Sequence, residues 1–141
     1  MSDTQKKTIY NVCLEVEEST SFEHMTLFTL VNPDHEFILK LIGSMLTNLL
    51  KLPKSCEIIG ERKLGEKQVD VYLVKLEDRS IVETYFKLYN NKLEGEEDGL
   101  ILHITKKKGI ERKIGDTIKF SNLKIKEVGP KDPILKFPLE L

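Results

Sequence analysis

The chain has 141 residues, with 22 basic and 23 acidic side chains and a formal net charge of −1. It is 40% hydrophobic and 32% charged, which excludes a disordered or collagen-like chain and suits one domain, residues 1–141, with a core of its own. Two cysteines, Cys13 and Cys56, are too few for the disulfide framework of a small secreted protein. They are expected to be buried thiols, able to bridge only if their strands are neighbours.

Residues 1–7 are polar, lack the apolar stretch of a signal peptide, and are expected to be a disordered N-terminus. Tyr10, Val12, Leu14 and Val16 alternate with Asn11, Cys13 and Glu15, the period of a half-buried strand. A polar turn over residues 17–24 leads to a second, more apolar strand over 25–31. The short connection predicts a hairpin.

Asn32-Pro33-Asp34 is a helix start, with Asn32 as the cap, Pro33 in the first turn and acidic Asp34 and Glu36 at the positive dipole end. Ile38, Leu41, Ile42, Met45, Leu49 and Leu52 keep helical spacing, and Phe37, Leu39, Leu46 and Leu50 widen the stripe. One long buried helix over residues 32–52 is therefore expected, stopped by Pro53. Its uncharged run, 41–50, is too short to span a bilayer, which needs about 20 apolar residues.

Residues 56–63 and 68–77 flank a Leu64-Gly65-Glu66-Lys67 turn and predict a second hairpin. Ser80-Ile81-Val82-Glu83 matches a capping box, opening a short second helix that carries Tyr85, Phe86 and Tyr89. An acidic loop over 93–98 and a strand over 99–105 follow. A basic turn, Lys106-Lys107-Lys108-Gly109, leads to a further hairpin with strands 117–120 and 123–128, turning at Ser121-Asn122. Pro133 and Pro138 make residues 131–141 an extended C-terminal tail or edge segment. The order strand, strand, helix, strand, strand, helix, then strands, without regular βαβ units, predicts an α+β fold. Its sheet is mostly antiparallel, with a partly closed barrel as one form of it.

The near-neutral total hides two opposed regions. Residues 99–141 hold ten basic and five acidic side chains, and the rest of the chain holds twelve and eighteen. Such asymmetry marks a candidate polyanion surface at Lys106, Lys107, Lys108, Arg112 and Lys113. The competing explanation is a solvated strand face kept soluble by alternating lysines. Only three arginines occur, against the arginine-rich habit of phosphate readers.

The three histidines, His24, His35 and His103, are scattered, and no Cys-x-x-Cys occurs, so no metal is expected. No glycine-rich phosphate loop or Gly-x-Ser-x-Gly is present, and no cofactor or catalytic residue is expected. Asp70, set in an apolar strand, is the one carboxylate with a claim to buried acid–base work. These features predict a non-enzymatic, intracellular protein–protein interaction module, a subunit, adaptor or inhibitor in the cytoplasm or nucleus. Its partner would be another protein or a second copy, with no membrane involved. Ile134, Leu135, Phe137 and Leu139 of the apolar tail are the candidate partner-binding residues. The alternative is a nucleic-acid or nucleotide-binding module built on the lysine-rich C-terminal strands.

Overall fold

The structure, a computed structural model, describes residues 8–17, 23–91, 99–129 and 132–140. The expected disordered N-terminus, the acidic loop and most of the turn at 17–24 lie outside the described residues. Seven strands, β1 (Ile9–Val16), β2 (His24–Val31), β3 (Ser55–Leu64), β4 (Val69–Lys75), β5 (His103–Thr105), β6 (Thr117–Glu127) and β7 (Leu135–Pro138), form one sheet. Among the described residues two α-helices, α1 (His35–Thr47) and α2 (Ser80–Tyr89), accompany the sheet in an α+β fold dominated by antiparallel strands.

The strand order β1-β2-β5-β4-β3-β6 returns on itself through β1–β6 pairing, making a barrel-like ring of six antiparallel pairs. The long β6 gives one edge to β1 and divides the other, pairing β3 near Ile118 and β7 between Asn122 and Ile125. Alternation places Val12, Leu14, Met25, Ile58, Val74 and Ile104 in one core with Leu41 and Met45 of α1 and Val82 and Tyr85 of α2. The hairpins β1–β2 and β3–β4 form as the alternation predicts. Gly65 and Gln68, at φ 75° and 51°, make the second turn.

The helix expected over 32–52 is shorter and only half-buried. Asp34, not Asn32, caps it, its Oδ1 accepting the Phe37 N–H at 2.7 Å. Asn32 sits at φ 50° and closes a two-way bond with Thr8, donating its N–H to the carbonyl and accepting the N–H on Oδ1. These two hydrogen bonds to Thr8, just before β1, take Asn32 away from capping. The helix ends at Thr47, and a 3-10 turn, Leu49–Lys51, follows. Leu41, Met45, Leu49 and Leu52 reach the core, whereas Leu39 and Leu50 are 56% and 87% exposed.

The capping box at Ser80 does not form. The Ser80 N–H and hydroxyl both donate to Asp78 Oδ1, and Glu83 is held by Arg79 at 2.6 Å. The strand expected over 99–105 contracts to β5, because the Ile101 carbonyl turns to His103 Nδ1 at 2.7 Å. Ser121-Asn122 is no turn. It lies inside β6, where Asn122 Nδ2 donates to Glu15 Oε1 at 2.9 Å and the ladder shifts register between Glu15 and Val16.

Past its single pair with β5, the edge of β2 is taken by the chain leaving α2. Asn90 and Asn91 side-chain oxygens accept the N–H groups of Thr29 and Val31, and the Asn91 N–H donates to the Thr29 carbonyl. Two residues thereby stand in for a strand where β2 would present unpaired polar groups.

Candidate partner-binding cleft

Residues that alternate away from the core form the outer face of the sheet. Cross-strand pairing sets them in rows. Lys136 of β7 lies opposite Lys124 of β6, which lies opposite Cys13 of β1, which lies opposite Thr26 of β2. One row on, Lys126 lies opposite Asn11, and Asn11 opposite Thr29. Neighbouring strands stand roughly 4.8 Å apart, so these rows hold lysines side by side on β6 and β7. With Lys107, which follows β5, they line a cleft of about 450 Å³.

Glu15 anchors the cleft. Its carboxylate meets Lys124 and Lys136, each at 3.2 Å, and accepts from Asn122. Burial by itself would raise this carboxyl, but the hydrogen bonds from Asn122, Lys124 and Lys136 outweigh it and hold the group below its ordinary value. Lys126 donates to the backbone carbonyls of Glu127 and Gly129 and, among the described residues, not to a carboxylate. Among the described residues no carboxylate forms an ion pair with Lys107. The cleft therefore keeps cationic charge, although Glu127 and Asp132 also line it.

The five residues expected to form one polyanion surface have separate surroundings. Lys106 pairs with Glu61 and lies over the Tyr72 ring. Arg112 grips the buried Glu23 and takes the Tyr72 hydroxyl on its backbone N–H. Lys113 closes a turn with Asp116, and Lys108 is exposed. Only Lys107 of the five lines the cleft. Of the lysines that join it there, Lys124 and Lys126 are alternating positions of the 123–128 strand visible in the sequence, and Lys136 comes from the tail.

In the tail, β7 pairs with β6. Leu139 is 1% exposed, and Leu135 and Phe137 pack against the core, leaving Ile134 with much of its surface free. Most of this apolar surface is thus used inside the chain.

Asp70 is exposed and bonded to Lys63 at 2.8 Å, which holds its carboxyl below the ordinary range. Cys13 and Cys56 are free and lie on opposite faces of the sheet, on strands separated by β6. Burial pushes both thiols up to about 12, far from the thiolate that nucleophilic chemistry needs. Among the described residues no three His, Cys, Asp or Glu side chains gather as a metal site, and no helix is long and apolar enough to cross a membrane.

A second depression, about 330 Å³, lies on the same outer face across β2, β5 and β4. Val69, Val71, Phe86, Leu100 and Ile101 give it an apolar lining, and Thr26, Thr29 and His103 a polar one. Asn11 lines both depressions. Comparison with known proteins finds no family model and no curated protein that matches the chain.

Proposed function

We propose that the protein is a non-enzymatic binding module that takes an acidic segment of a protein partner on the cleft formed by β1, β6 and β7. The observation that carries this reading is the convergence of Lys107, Lys124, Lys126 and Lys136 on one cleft, where two of them share Glu15 and the lysines outnumber the three lining carboxylates. Ammonium groups set by strand register attract carboxylates without demanding the planar geometry that arginine offers. The described lining holds neither arginine nor a tyrosine or phenylalanine on which a base could stack. Its interleaved Glu127 and Asp132 oppose a continuous phosphate backbone, which favours a protein over a nucleic acid. The exposed, lysine-bound Asp70 and the two high-pKa thiols support a binding role over a catalytic one. Two free cysteines fit a reducing compartment, the cytoplasm or nucleus.

The test is fluorescence anisotropy with a labelled oligoglutamate peptide at about 50 mM and about 300 mM salt, a range over which exposed charge pairing weakens. Binding should fall with salt and drop about tenfold or more in the Lys107→Glu/Lys126→Glu double variant. A parent protein that ignores the peptide yet binds an oligonucleotide would replace this reading with a nucleic-acid one.

A further inference from the structure

The depression of about 330 Å³ differs in chemistry from the lysine cleft. The chain is 32% charged, yet none of the described residues lining this depression is aspartate, glutamate, lysine or arginine. Such a lining gives a phosphate or carboxylate no counter-ion to offset its desolvation, which selects a neutral ligand. Thr26, Phe86, Ile101 and His103 of the lining are each half-buried, so they keep surface for a ligand to cover. The volume sets the size: benzene fits a cavity of about 150 Å³, so this one admits a body of two rings.

Strand register supplies the polar part. Met25 of β2 lies opposite Ile104 of β5 in the core. Their neighbours Thr26 and His103 therefore stand side by side on the outer face, with Cβ atoms about 5 Å apart. His103 Nδ1 meets the Ile101 carbonyl at 2.7 Å, and a carbonyl only accepts, so Nδ1 carries the ring proton. In the neutral ring Nε2 is then an acceptor. Among the described residues neither Nε2 nor the Thr26 hydroxyl has a hydrogen-bond partner. We propose that the depression binds a neutral small molecule with a two-ring apolar body and one hydroxyl, which donates to His103 Nε2 and accepts from the Thr26 hydroxyl. A hydroxyl meets both groups through one oxygen, whereas an indole N–H only donates and an ether or ketone only accepts. The rings lie against Val69, Phe86, Leu100 and Ile101. This site stands apart from the acidic-segment reading, and the failure of either leaves the other in place.

Naphthol, naphthalene and methoxynaphthalene separate the apolar and polar contributions in NMR titrations of the intact protein. Naphthol should give saturable shifts at Thr26, Phe86 and His103. It should bind about three- to tenfold tighter than the other two, the effect of one net hydrogen bond. His103→Phe should erase that preference while naphthalene still binds, which also reports a folded site. Thr26→Val, nearly isosteric, should reduce the preference and carries the test if His103→Phe does not fold. Equal affinities of the parent protein for all three compounds would overturn the hydroxyl assignment, as would a preference that survives in both variants. Naphthol that moves no lining resonance at millimolar concentration would overturn the site itself.

Discussion

Arg112 holds Glu23 through two nitrogens, Nε at 3.0 Å and Nη2 at 2.5 Å, and the carboxylate is 1% exposed. The pair joins the start of β2 to the segment before β6, and the Tyr72 hydroxyl, which accepts from the Arg112 N–H, ties β4 to the same point. Removing the guanidinium takes both of these hydrogen bonds from a carboxylate that is 1% exposed. Arg112→Met should therefore cost about 3–5 kcal/mol in urea unfolding. The double variant with Glu23→Gln should recover part of that loss. A cost under about 1 kcal/mol, typical of exposed pairs, would show that the pair is solvated.

Tyr85 carries its ring in a stack with Phe28 and Tyr89 and its hydroxyl into α1, bonded to Ser44 Oγ at 2.9 Å and Asn48 Nδ2 at 3.1 Å. Tyr85→Phe keeps the ring and deletes the tether. About 1–2 kcal/mol should be lost, read as a lower thermal midpoint. An unchanged midpoint would mean that water replaces the hydroxyl without cost.

Helix α1 should respond by position. Leu41→Ala removes a buried side chain and should cost about 2–5 kcal/mol. Leu50→Ala, at a side chain 87% exposed, should fall within about 0.5 kcal/mol of the parent. Equal effects at the two sites would contradict the half-buried arrangement.

The Glu15 carboxyl lies below its ordinary 4.5 when folded. The stability it lends is complete above pH 4.5 and disappears as pH falls through the lower folded value. Urea midpoints of the parent should drop over that acid range. Those of Glu15→Gln should start lower at pH 7, where Lys124 and Lys136 lose the Glu15 ion pairs, and change less below about 4.5. Parallel acid curves would remove Glu15 from this role.

Deleting residues 132–141 should lower the thermal midpoint without changing the oligomeric mass, because Leu139 is buried against its own core and β7 pairs with β6. A lost dimer with unchanged midpoint would instead mark the tail as a subunit contact.

Local signals in the sequence mapped well onto local structure. The alternation Tyr10–Val16 and the Leu64-Gly65 turn placed two hairpins, because neighbouring strands need only their own periodicity and a turn. Where partners lie far apart in sequence, the same signals misled. Ser121-Asn122 has turn composition, yet Glu15, 107 residues from Asn122, supplies the bond that keeps the pair in a strand. Asn32 is a good cap in isolation, and Thr8 claims it. The run Lys106-Lys107-Lys108 drew attention to adjacent charges, but strand register assembles the cleft from every second residue of β6 and from β7. Only the pairing of those strands with β1 could reveal that.

Closing the ring through β6 also sets a timetable. β1 and β3 leave the ribosome long before β6, and Ser121 must find Glu15 across 106 residues. Until it does, one edge of each early strand offers its backbone groups to any other nascent chain. Refolding should thus be governed by a late docking step on a scale of about milliseconds to seconds, and yield should fall as protein concentration rises during refolding.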